Sequence, residues 1–226
     1  MFVLNTCEAL NITRDKLNTT QVLAAYNVPI PKTIALTFPV NVNCIDRELQ
    51  FPIIMKLASG SQGTGVMKVD NSEQLLDMAD MLTRDTPIIL QEFIKFSSGR
   101  DVRAFVIGGR VVGCMERVAQ KGFKANVHCG ASVNNLPSTP QLEWLVLETV
   151  KLVGLDIAGV DLLYDKAGFK ICEVNSSPGF EGFEHATKVN IPHLLFEYIK
   201  LRCGISKVTQ KQKSLREKEL EFVDTH

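Results

Sequence analysis

The sequence predicts an α+β protein in two lobes built on antiparallel sheets, on three observations. Short β-rich runs in the first half are interrupted by single capped helices. Two glycine-turned hairpins dominate the second half. The 226 residues, 45% of them hydrophobic, suffice for one large domain or two closely packed lobes.

In chain order, Thr13 to Tyr26 reads as a helix, opened by Asn11 or Thr13 as cap and stopped before Pro29, which restricts its neighbour. β-rich runs follow at Thr33–Leu36, Phe51–Lys56, Val66–Val69 and Ile88–Phe93, with an amphipathic helix capped by Asn71 and Gln74 between the last two. Gly108-Gly109 suits the positive φ angles of a tight turn, so Asp101–Ile107 and Arg110–Val118 form a hairpin. After a polar, Gly-containing stretch, Thr139-Pro140 opens a helix with Leu142, Leu145, Val146, Thr149, Val150 and Val153 on one side and Gly154 at its end. Ile157–Tyr164 and Phe169–Val174 pair around Asp165 and Gly168, and a last helix runs from Pro192 to Cys203. The tail, 205–226, is charged and free of glycine. A solvated or oligomer-packing helix suits it, and so does disorder.

Lys and Arg number 25 against 25 Asp and Glu, so no global field directs the chain to nucleic acid or an anionic membrane. Any anion must be met locally. No window approaches the roughly 18 apolar residues of a membrane span, and the six Cys form no CxxC or CxxH pattern. Cys114 and Cys172 lie in apolar, strand-like runs and read as buried free thiols. A reducing cytoplasmic setting is the expectation.

The chemistry-bearing residues begin with Asp161 on one strand and Glu173 and Asn175 on its partner. Residues two apart share a face, and a turn centred near Lys166 and Ala167 sets Asp161 almost opposite Glu173. Two carboxylates and an amide oxygen are hard ligands suited to Mg²⁺ carrying phosphates. Alone, the pattern also suits the solvated face of an ordinary hairpin. The Gly60–Gly65 loop, with Ser61 and Gly63, follows the strand ending in Lys56. It lacks both the helix a dinucleotide fold needs and the Gly-Lys-Ser/Thr of a Walker loop. A β-hairpin lid over phosphates remains, with a ligand-free mobile turn as the alternative. Lys56 at the end of an apolar strand calls for an anion.

Backbone groups near Glu92 and Phe93 can serve a purine's amino group and ring nitrogen, and Asp101 its ribose; a plain strand end is the competing reading. Arg103 and Arg117 on the first hairpin, with Lys124 and Asn126 in the adjoining loop, can neutralise a transferring phosphoryl group and an oxyanion. His128, His185 and His193 lack the spacing of a metal pair.

In order and spacing these pieces resemble the ATP-grasp superfamily, and within it the RimK-type α-L-glutamate ligases. The resemblance rests on TRDKLNTTQVLAAYNVPIPKT, IIMKLASGSQGTGV, ILQEFIK, GRDVRAFVIGGRVVGCMERVA, FKANVHCGASV, LDIAGVDLL and ICEVNSSPGFEGFEHAT. It implies an α+β ATP-grasp fold over residues 1–204, with a lid lobe at 28–93, a core lobe at 94–204, and ATP between two antiparallel sheets. It implies Lys16, Lys56, Ser61, Gly63, Gly65, Glu92, Phe93, Asp101, Lys124 and Asn126 around the nucleotide. Asp161, Glu173 and Asn175 would hold two Mg²⁺ ions, for which Mn²⁺ can substitute, and Arg103, Arg117 and Lys124 would act in catalysis. The implied activity is ADP-forming ligation of an amino acid, glutamate by the resemblance, to a protein C-terminus or small-molecule carboxylate. Ligation to a coenzyme tail or small peptide, and an ATP-binding scaffold without turnover, are the alternatives. Lys124 stands where the family has an arginine, and His128-Cys129-Gly130 replaces a His-Arg-Gly-Gly run. The family's N-terminal domain has no counterpart here, so a partner is expected to supply it or the substrate site is reduced; a homo-oligomer is also expected.

Overall fold

The computed structural model describes residues 2–36, 38–57, 65–83, 85–125 and 130–205. The helix expected over Thr13–Tyr26 is two helices, α1 (Cys7–Arg14) and α2 (Lys16–Ala25). Asp15 divides them, its carboxylate accepting from the backbone N–H of Leu17 at 2.8 Å and of Asn18 at 3.1 Å. Such a side chain satisfies the orphan donors of a new helix. Thr13, expected as a cap, instead lies inside α1 and donates its hydroxyl to the Ala9 carbonyl at 2.8 Å.

The first sheet combines β1 (Thr33–Leu36), β2 (Ile53–Leu57), β3 (Val66–Val69) and β4 (Ile88–Glu92) in the order β1-β4-β2-β3, all pairs antiparallel. Strand β2 starts two residues later than expected, after Pro52, which has no N–H for a ladder. Helices α3 (Val42–Glu48) and α4 (Ser72–Asp80) lie in this half. Asn71 caps α4 as the sequence indicates, while α3, seven residues long, has no counterpart in the sequence reading. Ile45, Leu49, Ile53, Met55, Val69, Leu75, Ile88 and Leu90 form the core here.

The second sheet runs β7-β6-β5-β8-β9, from β5 (Arg100–Ile107), β6 (Arg110–Val118), β7 (Ser132–Leu136), β8 (Ile157–Asp165) and β9 (Gly168–Asn175). Gly108 and Gly109 adopt φ of 57° and 75° between β5 and β6, values that β-carbons oppose. Edge strand β7 occupies the stretch read as polar; Ser132, Asn134 and Asn135 are exposed there, so no apolar alternation betrayed it.

Helix α5 (Pro140–Val153) buries Leu142, Leu145, Val146, Thr149, Val150 and Val153, the face the sequence predicts. Its five aliphatic side chains each contribute about 1.5–3 kcal/mol of burial. They pack with Val102, Ala104, Val160, Leu162, Ile171 and Val174 from the sheet.

Helix α6 (Glu181–Thr187) was not expected, and α7 spans Ile191–Arg202, one residue earlier than expected at both ends. The residues group into two compact units. Val3–Val189 holds both sheets. The other joins α7 to Phe2, whose ring lies 6.2 Å from Tyr198 and 4.8 Å from the Arg202 guanidinium. Nearly all of the charged tail, from residue 206 on, lies outside the described residues. Among the described residues no helix is long and apolar enough to cross a membrane.

Candidate functional site

Register builds the site. On β5 and β6, Asp101 stands opposite Arg117; on β5 and β8, Arg103 opposite Asp161; on β8 and β9, Asp161 opposite Glu173 and Gly159 opposite Asn175. The turn alone, closing on Asp165 and Gly168, sets Asp161 opposite Cys172 and one residue from Glu173; the extra residue on β9 completes the pairing with Glu173. Directly opposed residues interact across a sheet, so charges scattered over 73 positions of sequence, from Asp101 to Glu173, become neighbours on one face.

Strand β9 carries a device that alternation alone would not give. Leu162 pairs with Ile171 and Asp161 with Glu173, which leaves Cys172 as an extra residue. A bulge of this kind re-aims side chains. Ile171 and Val174 therefore enter the core while Cys172 and Glu173 both face the cleft described below. At the far end, a β-carbon on Gly159 would come within 2.7 Å of Pro178, so glycine lets the Ser176–Gly179 loop close over the strand. Asn5, missed in the sequence, braces the same place. Its amide donates to the carbonyls of Ile157 and Ser176 at 2.9 Å each and accepts from the N–H groups of Asp156 and Ile157.

Four charges form a continuous chain. Arg103 grips Asp161 through two bonds of 2.7 and 2.8 Å, and Arg117 grips Asp101 through two of 2.6 and 2.7 Å. Arg117 also reaches Asp161 at 3.1 Å, and its side chain is only 3% exposed. Bidentate forks of this kind are the strong form of the ion pair. Burial works to raise the Asp161 carboxyl, but Arg103 and Arg117 prevail and hold it down to about 2. Asp101, with one guanidinium in its grip, is pushed up by burial to about 6 against the pull of Arg117. Burial opposes charge on Arg117 as well, yet Asp161 and Asp101 lift it above its ordinary value.

A cleft of about 900 Å³, counting its open mouth, lies between the two sheets. Of the residues singled out from sequence, Lys16, Lys56, Glu92, Phe93, Asp101, Arg117, Lys124, Asp161 and Glu173 all line it. Lys16 approaches Glu173 at 3.6 Å, and Lys56 lies 3.7 Å from the Cys172 sulfur. Burial keeps that thiol above its usual range although Lys56 pulls the other way, so it is no ready nucleophile. At the opposite end Ile54, Ile94, Phe123 and Leu163 give apolar walls. Phe93 meets Phe123 edge to face at 6.3 Å. Glu92 turns its carboxylate to the Lys32 N–H at 2.8 Å and to Lys170, and its own N–H donates to the Lys32 carbonyl at 2.9 Å, so its side chain and its N–H are both engaged.

Arg103 and Asn175 stand behind the cleft wall, not on it. Arg103 spends its fork on Asp161, and the Asn175 amide approaches the Asp161 carboxylate at 3.5 Å. Gly65 backs against Leu57, which donates to its carbonyl at 2.9 Å. Ser61, Gly63, Asn126 and His128 lie outside the described residues. Sequence reasoning did not anticipate Cys172 or Phe123 at the cleft; the first needs the bulge, and the second needs the two sheets set face to face. Of the described cysteines Cys114 is buried and Cys172 half-buried, whereas Cys7, Cys44 and Cys203 are exposed free thiols.

Among the described residues no three His, Cys, Asp or Glu side chains gather as a metal site. The donors at the cleft are two carboxylates, Asp161 and Glu173, hard oxygens that fit a divalent cation whose remaining ligands are phosphate and water, while Asn175 turns its amide nitrogen to Asp161. The fit is therefore to Mg²⁺ or Mn²⁺ arriving with a nucleotide, and not to zinc.

The family model described as the RimK-like ATP-grasp domain matches residues 13–199. A protein of Legionella pneumophila (strain Corby) named "Probable alpha-L-glutamate ligase" is 36% identical over 206 residues, 90% of this chain and 68% of its own length. A protein of the same name from Haemophilus ducreyi is 35% identical, covering 87% of this chain and 65% of its own. Among solved structures, the ATP-grasp ligase PsnB complexed with a phosphomimetic variant of its minimal precursor, Mg and ADP superposes with a TM-score of 0.70 at 23% identity. That match takes in 89% of this chain and 62% of PsnB. The D-alanine–D-alanine ligase of Bacillus anthracis gives 0.69 at 18% identity, covering 95% and 72%. These two likenesses show the fold. The chain thus spans roughly two thirds of the length of the relatives it matches.

Proposed function

Because the chain belongs to the RimK-like ATP-grasp family, we propose that it joins a carboxylate to an amine while splitting ATP to ADP and phosphate. The observation that carries this reading is the convergence on one cleft of Lys16 and Lys56, the Glu92–Phe93 strand end, Asp101, and the Asp161–Glu173 pair. Of these, Lys16 comes from the resemblance alone, and the others are singled out in the sequence by their own chemistry as well. Residues 28–93 act as the lid lobe and 94–204 as the core lobe, with the nucleotide between them.

In this reading the base lies between the apolar walls, against the backbone near Glu92 and Phe93, and the ribose hydroxyls donate to Asp101. Lys56 and Lys16 neutralise phosphate oxygens. Asp161, Glu173 and Asn175 would hold Mg²⁺, in one or two ions, which supplies charge neutralisation at the β- and γ-phosphates. An oxygen of the acceptor carboxylate attacks the γ-phosphorus as the bond to the ADP oxygen breaks. The amine then attacks the acyl carbon, phosphate leaves, and the amine's proton is lost as the amide forms. Catalysis is then largely positioning and charge stabilisation. Lys124 at the cleft meets developing negative charge, while Arg103 and Arg117 act through the carboxylates they hold. The test is chromatography of spent nucleotide: ADP with inorganic phosphate is expected, and AMP with pyrophosphate would place the enzyme in the acyl-adenylate class.

The amine in this reading is glutamate, supported by the names of the Legionella and Haemophilus relatives. Glutamate brings two carboxylates that need cations. Lys124 keeps a charge where the family has an arginine but loses the bidentate fork. Glutamate is therefore expected to be accepted with weakened selectivity, and aspartate to compete. ATP-dependent ligation of each common amino acid to a peptide C-terminus, with and without an added N-terminal domain from a relative, measures this. Preference for a cationic or apolar amino acid in both formats would overturn glutamate and leave the ligase reading standing.

A further inference from the structure

Arg117 contacts two cleft carboxylates at once. Its fork closes on Asp101 at 2.6 and 2.7 Å, and one of the same nitrogens reaches Asp161 at 3.1 Å. The Asp161 contact is the longer and single one, so it is the contact given up when another positive group takes that oxygen. Arg103 holds Asp161 through both of its oxygens throughout. A guanidinium has five donors in a rigid plane, and a carboxylate accepts about four hydrogen bonds, so Asp101 can hold Arg117 and still accept two ribose hydroxyls.

We propose that Arg117 is a positioning residue that couples the ribose end of the cleft to its divalent-cation end, by dividing one guanidinium between Asp101 and Asp161. The proposal rests on the nucleotide and cation roles proposed above for those two carboxylates. Ribose hydroxyls that fix Asp101 hold Arg117 turned toward it, which leaves the Asp161 oxygen free for the cation. The coupling is positive and reciprocal, as any equilibrium linkage must be. It needs no phosphate, because the wire is made of protein side chains.

Adenosine separates this relay from direct phosphate–metal contact, since it has the hydroxyls and no phosphate. Mn²⁺ binding to the full chain is measured by the loss of free-ion paramagnetic signal, alone, with saturating adenosine, and with saturating dideoxyadenosine, which lacks both hydroxyls. Adenosine is expected to tighten Mn²⁺ about fivefold, the lower end of usual couplings, and dideoxyadenosine to leave it unchanged. Arg117→Lys keeps the charge but cannot span both carboxylates, so the tightening disappears while Mn²⁺ still binds. Equal tightening by both nucleosides, no tightening by adenosine, or a Lys variant that keeps the full factor would each overturn the relay. The nucleoside comparison needs no variant and stands even if Arg117→Lys fails to fold. Binding of Mn²⁺ with ATP, without any adenosine effect, would remove the relay alone; absence of any nucleotide binding would remove the ligase reading with it.

Discussion

Glu173→Gln is expected to leave the fold in place and to abolish ATP turnover. The side chain is 39% exposed and its contact with Lys16 spans 3.6 Å, an arrangement contributing at most about 1 kcal/mol to stability. Thermal melts of the variant should therefore overlay those of the parent. The chemistry depends on the same carboxylate far more. Glu173 supplies anionic oxygens opposite Asp161, and the neutral amide keeps the shape and loses the charge that holds a divalent cation against triphosphate. Metal-centred charge stabilisation is worth several kcal/mol in a transition state, so the rate is expected to fall roughly 10³-fold or more. ADP release by the purified variant at saturating Mg²⁺ measures it. Parental turnover in a well-folded variant would sink the assignment of Glu173 to the cation, and with it the cation role of the Asp161 row.

Why Glu173 could be read from sequence, and other cleft residues could not, follows from which distances the chain fixes locally. The two turns bring Asp161 to within one residue of Glu173 and Asp101 to within one residue of Arg117, and an extra residue in each hairpin, Cys172 in one and Val112 in the other, sets the final pairing. Hairpin register propagates from the turn until a bulge shifts it, so the neighbourhood of these charges is legible although the exact partner is not. The α5 face was legible for the same reason, since six side chains at helical spacing name one side. What the sequence could not carry was position set by other elements. Cys172 reaches the cleft only because β9 bulges, and nothing in ICEVN marks where the extra residue falls. Strand β7 is held by pairing to β6 and not by its own apolar pattern. The break at Asp15 was within reach, because an aspartate two residues ahead of Leu17 is a cap, but the run of helix-compatible residues around it masked the signal. The same limit governs Arg103 and Arg117. Both were read as cations awaiting a phosphoryl group, whereas the register gives each a carboxylate partner first.

That partnering makes removal of Arg117 costly to the fold. Two guanidiniums, Arg103 and Arg117, face two carboxylates, Asp101 and Asp161, so the buried chain is neutral as a whole. Arg117→Ala leaves two carboxylates against one guanidinium, with Asp101 stripped of its fork at a position only 15% exposed. Removing one partner of a buried pair costs about 3–5 kcal/mol, chiefly because the other charge is stranded. In a chain of this size that lowers Tm by roughly 10 °C. The pH dependence has a definite sign. Burial already raises Asp101 from an ordinary 3.8 to about 6, and loss of Arg117 removes the group opposing that rise. A carboxyl whose folded pKa lies above its unfolded value favours the fold while protonated, and loses that contribution as pH climbs from the unfolded value through the folded one. The deficit of Arg117→Ala is therefore smallest near pH 4 and widens as pH rises past 6. Removing Asp101 as well, in Arg117→Met with Asp101→Leu, leaves Arg103 paired to Asp161 and no stranded charge, so the double variant is expected to be more stable than Arg117→Met alone. Denaturant melts of the single and double variants at pH 5 and pH 8 decide it. A double variant no more stable than the single, or a deficit that shrinks toward pH 8, would show that Arg117 is held by packing rather than by the two carboxylates it joins.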